Sequence, residues 1–450
     1  MLDYRAWLRQ ALWPTAIALG CMLSSCTAWK QISRDIEADV ARGEYQHAIT
    51  ALKEGRESYG ETSSVLYRLE LGMLFHYAGE YDSSTTQLLA AEREIEDLYT
   101  KSISQTAVSF VVNDNVLPYE GEDFEKVMLN VVAALNFAQL GELDEALVEA
   151  RKVDLKLREF SRRYEGQNVY SEDAFSRYLA GVLYENAGEI NDAYISYALA
   201  LEAFRSYEQQ FMTAPPSFLL DDLVRTATLM SFLEEANTYR EAGGKAFGGE
   251  DRNQGRVLVL VYAGKGPIKE QIRPSVSIPD DEGTIHTFQV ALPQFVVRYL
   301  QPRSYSVNVT GGPQSGAAVS TNCVTGHNIN AIAAQSLADR LGLIYLKSGG
   351  RALLKFLAAE RAKKELKRND SETANVLGSL AIDILVAATE QADVRSWATL
   401  PAEIQMGRLT LSPGSYGLGV RAGDGAFRCE LKNVTVTAGK TTLIIVDDLR

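Results

Sequence analysis

Apolar and polar positions along this chain change their period near its middle. Up to about residue 240 they recur three or four residues apart, as on helices, whereas beyond about residue 255 they alternate or run on continuously, as in strands. The stretch Val127–Val153, VMLNVVAALNFAQLGELDEALVEARKV, holds two short helical patterns that meet at Gly141-Glu142. Ala134, Phe137, Gly141, Ala146 and Ala150 stand where two antiparallel helices can cross closely, with small residues at the contact and an aromatic beside it. Gly141 is placed to take the left-handed conformation that stops the first helix, and Glu142, Asp144 and Glu145 suit the positive start of the second.

The arrangement returns upstream as Leu71, Gly72, Phe75, Gly79 and Ala91, and downstream as Gly181, Tyr184, Gly188, Ala193, Tyr197 and Ala200. Gly43, Glu44, Tyr45, Ala48 and Leu52 form a weaker copy, expected of the degenerate end of a stacked array. These small, aromatic and turn positions resemble the tetratricopeptide repeat. The chain departs from that pattern where Ser84 replaces the small Ala of a second helix, where the early Trp is absent, and where no Pro closes a unit. Taken with the interruption SFVVNDNVLPYEGEDFEK and the distal ADVRSWATLPAEIQ, the chain resembles a family of bacterial envelope lipoproteins with such repeats. That resemblance implies no assigned reaction and no ligand.

By the geometry of the repeat, the inner helix face would show Leu66, Leu69, Met73, Met128, Val131, Val132, Phe175, Tyr178 and Val182. This candidate partner groove is apolar and lacks the ring of Lys and Arg that grips a peptide carboxylate. An apolar groove is not left open in water, so a cover is expected. The three candidates are a partner helix, the chain's own interruption at Val111–Tyr119, and its C-terminal domain.

Residues 1–25 read as an export signal, with Arg5 and Arg9 ahead of an apolar run from Ala11 to Leu23. Leu23-Ser24-Ser25-Cys26 resembles a lipobox, which implies a lipidated Cys26 at the start of the mature chain; Ala18-Leu19-Gly20-Cys21 is a poorer candidate. Thr27 after the lipidated Cys points, by the same resemblance, to the periplasmic side of the outer membrane. Acyl chains contributing roughly 0.8 kcal/mol per buried CH₂ would hold it there.

Residues 26–241 are expected to be the helical repeat domain, 242–255 a Gly-rich linker, and 256–450 a mixed domain. In the last, RVLVLVYAG reads as a buried strand, and TFQVALPQFVVRY and SYSVNVT as half-buried ones. Leu409, Leu411, Tyr416, Leu418 and Val420 alternate apolar positions towards the end, as do Val434, Val436, Leu443 and Ile445. A helical block, about 329–392, is inserted, and the first and last strands are expected to share a sheet. The fold class is therefore α+β, a tetratricopeptide-like array followed by a β-sandwich-like domain with inserted helices.

At 46% hydrophobic and 23% charged residues, the 450-residue chain is unlike a disordered one. Its net charge of −13 is divided unevenly, with −18 over Cys26–Gly248, +4 over Gly249–Arg450 and +1 in residues 1–25. The acidic half argues against a nucleic-acid partner. It is either a solvated surface or one that meets a basic partner. ALLKFLAAERAKKELKR opposes Leu353, Phe356, Leu357 and Leu366 to Lys355, Lys363, Lys364 and Lys367, which makes a basic amphipathic helix.

Candidate chemistry is sparse. If Cys26 is acylated, Cys323 and Cys429 remain, to form either a disulfide in an oxidising compartment or two packed thiols. His47, His76, His286 and His327 lack metal-ligand spacing, so no metal or cofactor is expected. Gly264-Lys265-Gly266-Pro267 lacks the spacing of a phosphate loop, and Ser315 comes one residue late for a nucleophile elbow. Asp393, Arg395 and Trp397 form the most distinctive polar cluster, either a binding platform or a structural pin. The reading is a non-enzymatic outer-membrane lipoprotein scaffold for envelope proteins. Its alternatives are a glycan-binding module on the sandwich and a glycan-active enzyme using Glu120, Glu122 and Asp123 beside Tyr119.

Overall fold

The computed structural model describes residues 32–102, 117–164, 172–279, 285–298, 304–313, 319–366 and 391–450. The export signal, Cys26 and the apolar run VLGSLAIDILVAAT lie outside the described residues. Among the described residues, helices pair into hairpins in chain order: α1 (residues 32–42) with α2 (Tyr45–Glu54), α4 (Ser64–Tyr77) with α5 (Tyr81–Ser102), α6 (Asp123–Leu140) with α7 (Leu143–Arg163), α8 (Ala174–Ala187) with α9 (Ile190–Phe211), and α10 (Ser217–Leu229) with α11 (Leu233–Glu241). A single helical turn, α3 (Arg56–Tyr59), links the first two hairpins.

Each hairpin closes with the same pair of backbone bonds. At Gly141 they run from Gly141 N to Ala138 O and from Glu142 N to Phe137 O, at 3.2 and 2.9 Å. Gly43, Gly79 and Gly188 repeat the pattern, and all four have positive φ, where a Cβ would crowd the backbone. The small positions inside the hairpins are also explained. A Cβ on Gly72 would lie 2.8 Å from Leu88, and one on Gly181 would lie 2.5 Å from Tyr197.

The α10–α11 hairpin uses Ser231, at φ 64°, in place of Gly, with Phe232 N bonded to Ala227 O at 2.8 Å. The sequence predicts helix here but no further repeat, because the residue that marks the turn is not glycine.

After the exposed linker and a 3₁₀ turn at Gly249–Asn253, two four-stranded sheets form a sandwich. One has the order β12-β1-β9-β8, built from β1 (Gly255–Lys265), β8 (Val324–His327), β9 (Pro401–Leu411) and β12 (Thr441–Asp448). The other has the order β11-β10-β6-β7, built from β6 (Tyr305–Gly311), β7 (Ser320–Asn322), β10 (Gly414–Ala422) and β11 (Phe427–Val436). First and last strands are parallel neighbours, Arg256 facing Thr441 through Ala263 facing Asp448. Two small pairs flank the sandwich, β2 (Ile268–Ile272) with β5 (Leu292–Val296) and β3 (Ser275–Pro279) with β4 (Ile285–Gln289). TFQVALPQFVVRY is thus two strands, broken at the buried Val290-Ala291. Helix α12 (Ile329–Leu366) leaves the sandwich after β8.

The continuous apolar run of β1 has a structural cause. Val257, Val259, Val261 and Ala263 face the second sheet, among Val307, Leu409, Leu418 and Val420. Leu258, Leu260 and Tyr262, on the opposite face, belong to the core of the helical array. One strand therefore serves two cores, which alternating patterning would not permit.

The candidate disulfide is corrected: Cys323 and Cys429 are free thiols. Cys429 on β11 pairs with Val420 on β10, Val420 with Val307 on β6, and Cys323 N bonds Tyr305 O beyond it. Three strand spacings, roughly 14 Å, separate two residues whose Cα atoms would need to be within about 7 Å. Peptide mapping of non-reduced protein is expected to recover both cysteines unlinked; a Cys323–Cys429 peptide would contradict the strand order.

Candidate functional site

The helical array has an inner face, and that face is filled. Leu66, Leu69, Met73, Met128, Val131, Val132, Phe175, Tyr178 and Val182 are each at most 1% exposed. They share one core with Leu258, Leu260, Tyr262, Trp397, Ile404 and Met406 of the C-terminal half. The nine residues therefore do not form an open partner groove. Their cover is the chain's own β1–β9 sheet, because the second face of β1 is as apolar as the first and needs a place out of water.

Polar contacts fix how the sheet lies. β12 crosses the array at the ends of successive helices: Asn186 exchanges bonds with Thr441 at 2.7 and 2.8 Å, Gln139 donates to Leu443 O at 3.1 Å, and Tyr45 contacts Asp447. One strand thus touches the third, second and terminal units in turn.

Beside it, a buried chain of bonds runs through His76. Ser84 Oγ donates to Gly72 O at 2.6 Å, and Asn136 Nδ2 donates to Ser84 Oγ at 2.8 Å. His76 Nδ1 lies 2.5 Å from Asn136 Oδ1, and its Nε2 lies 3.2 Å from Tyr262 OH. Since the amide oxygen only accepts, the proton sits on Nδ1 and Nε2 accepts from Tyr262. Burial lowers the His76 pKa to about 4, so the ring is neutral. Ser84, an exception to the repeat pattern, thereby ties two units and β1 together.

At the far end, three guanidiniums meet three carboxylates. Glu185 accepts from Arg225 at 2.8 and 2.7 Å and from Arg256 of β1 at 2.9 Å. Asp222 accepts from Arg225 at 2.6 Å and contacts Arg408 of β9, which also reaches Asp221 at 3.1 Å. Burial opposes the Asp222 charge, but Arg408 and Arg225 outweigh it and hold its pKa below the usual value. Across the rest of the interface, Lys269 pairs with Glu122 at 2.6 Å, Arg298 with Glu37 at 2.6 Å, and Arg340 also meets Glu122. In each pair the helical half supplies the carboxylate and the C-terminal half the cation. Part of the charge asymmetry between the two halves is thus neutralised inside the molecule.

The Asp393, Arg395 and Trp397 cluster joins the same interface. Arg395 grips Asp393 through Nε and Nη2 at 2.9 and 2.8 Å, and donates to Thr62 O at 2.8 Å and Leu117 O at 3.0 Å. Trp397, 1% exposed, donates its backbone N–H to Glu125 Oε1 at 2.8 Å, and Ala398 N donates to Glu70 Oε1 at 3.0 Å. These contacts make the segment a pin between sheet and helices, with no aromatic face left for a ligand.

Glu70 gives the pin a pH dependence. Burial, with smaller contributions from Glu37 and Glu125, raises its pKa from 4.5 to about 7 against the bonds from Thr399 and Ala398. A carboxyl with a raised folded pKa adds stability that is fully present below pH 4.5 and is lost as pH climbs through about 7. Glu70→Gln is therefore expected to gain about 3 kcal/mol on the wild type between those limits, measured by urea unfolding at each pH. A constant difference across the range would contradict the assignment.

Of the carboxylates considered for glycan chemistry, Glu122 and Asp123 are already engaged, and Glu120 is half-buried. Glu122 is 7% exposed and paired with Lys269, and Asp123 is 5% exposed and accepts from Tyr164 OH at 2.6 Å. Tyr119 OH donates to Glu125 at 2.5 Å. The outer face of the second sheet carries Ser415, Gly417, Gly419 and Arg421, and Phe427 is its exposed aromatic among the described residues. Asp39, Glu44 and His47 bring ligand atoms within 4.8 Å of one another, but Arg42 forms ion pairs with both carboxylates.

No family model matches the chain, and no curated relative does. Among solved structures, the chain is similar to the apo form of RapI, with 17% identity and a TM-score of 0.33 over 46% of this chain and 50% of that one. It spans about half of the RapI chain. It is also similar to BtubC (BKLC) from P. vanneervenii, with 14% identity and a TM-score of 0.33 over 54% of this chain and 89% of that one.

With the inner face sealed, the open surface of the array is its outer side. Between α7, α8 and α9 lies a groove of about 140 Å³ lined by Arg151, Asp154, Tyr184, Asp192, Ile195 and Leu199, among others. Arg151 stacks over Tyr184 at 5.3 Å and donates to its hydroxyl at 2.8 Å. Ile195, in its lining, is 46% exposed, and Leu155 at 60% and Val148 at 47% are exposed elsewhere on α7. Sequence reasoning passes over these residues because each is a lone apolar position on a polar helix face.

Proposed function

We propose that the protein is a non-enzymatic scaffold, a lipoprotein anchored through Cys26 to the periplasmic side of the outer membrane, which meets envelope proteins through the outer face of its second and third repeats. The observation that carries this reading is the division of the array's two faces. The inner face is consumed by the chain's own sheet, whereas the outer side keeps Ile195 in water in an open groove and Leu155 and Val148 in water on α7, which supplies one wall of that groove. Scattered exposed apolar residues are ordinary on a soluble protein, but one set in a concavity, with two more on the helix that forms its wall, offers a partner the kind of contact that recognition uses. Engagement of Glu122 and Asp123 in buried pairs disfavours the glycan-active alternative, and the polar outer sheet face disfavours the glycan-binding one.

Two measurements test it together. A photo-crosslinking residue at Leu155 or Ile195 is expected to give discrete adducts in cells, while one at the sealed Met73 gives none, and Cys26→Ser is expected to release the protein from membranes. Absence of adducts at both outer positions, or a Cys26→Ser protein that stays membrane-bound, would overturn the proposal.

A further inference from the structure

The outer groove leads to polar atoms that have no partner. Along α8 it follows Ser176, Ala180 and Tyr184, which stand four residues apart and so form one stripe about 12 Å long. Ala150 and Asp154 of α7 border the stripe on one side, and Ser196 and Leu199 of α9 on the other. Arg151 covers the Tyr184 end. At the Ser176 end the groove adjoins a space of about 10 Å³, room for one water-sized group, which Asp154, Ser176 and Arg177 line together.

Ser176 Oγ, Arg177 Nε and Asp154 Oδ1 are buried there without a hydrogen-bond partner among the described residues, and Ser176 as a whole is 5% exposed. Arg177 Nε lies 3.6 Å from Asp154 Oδ1, near enough to attract and too far for a hydrogen bond. Buried polar atoms are seldom left in this state, because each has given up its bonds to water. The set is chemically specific: Nε–H only donates, the carboxylate only accepts, and the hydroxyl does either.

Charge narrows the choice of occupant further. Arg151 faces Glu189 at 3.8 Å, with Asp192 reinforcing it, and Arg177 faces Glu172 at 3.7 Å as well as Asp154. An incoming ammonium would meet Arg177, and an incoming carboxylate would meet Asp154. A neutral group that accepts from the first and donates to the second suits both, and a primary carboxamide does so through one planar head. Ala150, Ala180 and Leu199 offer its methylene stem an apolar bed.

We propose that this end of the groove is a subsite for a carboxamide, the side chain of a Gln or Asn carried by a partner segment. The amide carbonyl accepts from Arg177 Nε–H. The amide nitrogen enters the small space and donates to Asp154 Oδ1 and Ser176 Oγ. A partner with Glu, Lys or Leu at that position leaves some of these atoms unpaired, so the subsite selects by the cost of that loss. The inference rests on the reading that the outer groove meets a partner, and it names the chemistry that the groove takes.

The test uses the purified full chain with ¹³C-labelled isoleucine methyl groups, the Ile195 signal being assigned by Ile195→Val. Butyramide, butyrate and butylammonium, three probes with one stem and different heads, are titrated in turn. Butyramide is expected to move the Ile195 signal saturably, and the two charged probes to bind at least tenfold more weakly. Ser176→Ala and Asp154→Ala should each weaken butyramide binding by about fivefold or more, the spectrum outside the groove showing that each variant stays folded. No saturable shift with butyramide, an equal response to a charged probe, or a folded Ser176→Ala protein that binds butyramide like the wild type would overturn the proposal. Because the comparison of heads is made on the wild type, it stands even if a variant misfolds. Adducts in cells from Ile195 beside a groove blind to butyramide would keep the scaffold reading and remove this one; butyramide binding without adducts would keep the carboxamide site and remove the protein partner.

Discussion

Asp222→Ala should destabilise the protein by about 3–5 kcal/mol, the cost of leaving buried charge unpaired. Asp222, 1% exposed, sits between Arg225 of its own helix and Arg408 of β9, and also accepts from Tyr178 OH at 3.1 Å. Its removal leaves three guanidiniums with Glu185 and Asp221 alone, in a site that water does not reach freely. Adding Arg408→Met in the same background should recover part of the loss, because it removes one of the stranded charges while keeping the volume. Lys432→Ala, on the exposed side of β11, should stay within about 0.5 kcal/mol. Urea unfolding of the four proteins gives the comparison. If Asp222→Ala and Lys432→Ala unfold at the same urea concentration, the cluster does not hold sheet and array together.

Trp397→Ala should cost a similar amount, about 3–5 kcal/mol, by another route. Trp397 is among the largest fully buried side chains, and it fills space where α4, α6 and the start of β9 converge. Truncation leaves a cavity that neighbours held by Glu125, Glu70 and Arg395 cannot readily close. Trp397→Phe retains most of the volume but leaves Thr399 Oγ1 without the indole N–H that lies 3.1 Å away, so a loss nearer 1 kcal/mol is expected. Limited proteolysis adds a local readout: the Ala variant should be cut faster within residues 391–400, and the Phe variant should not. Equal melting of Trp397→Ala and wild type would mean that the segment merely rests on the helices.

The helical hairpins were legible because their signal is local. A residue with positive φ at each turn and small residues at each crossing, such as Gly72 against Leu88, impose themselves on neighbouring sequence. Where chemistry substituted for the usual residue, legibility failed: Ser231 hides the α10–α11 turn, and Ser84 looks like a defect until Asn136 and His76 are seen on its hydroxyl. The shared sheet of first and last strands was readable from their matching apolar runs, but the strand order between Cys323 and Cys429 was not, so the choice between a bridge and two packed thiols stayed open in the sequence. β2 escaped notice because Lys269 breaks its alternation, being buried to reach Glu122, and β5 was read as one strand with β4 because both are apolar on either side of Val290-Ala291.

What covered the groove lay furthest from view. The sequence supplies an apolar array face, an apolar strand with two buried faces, and an acidic half opposite a basic one. Only contacts between residues such as His76 and Tyr262, 186 positions apart, join these into a single statement.

The central claim is that the array's inner face belongs to the C-terminal sheet. A protease site inserted between the exposed Gly248 and Gly249 allows the folded chain to be cut once in its linker. The two fragments are expected to co-elute on gel filtration after dilution and to part only in denaturant. Fragments that separate in native buffer, leaving a folded helical array with its groove open, would contradict the account.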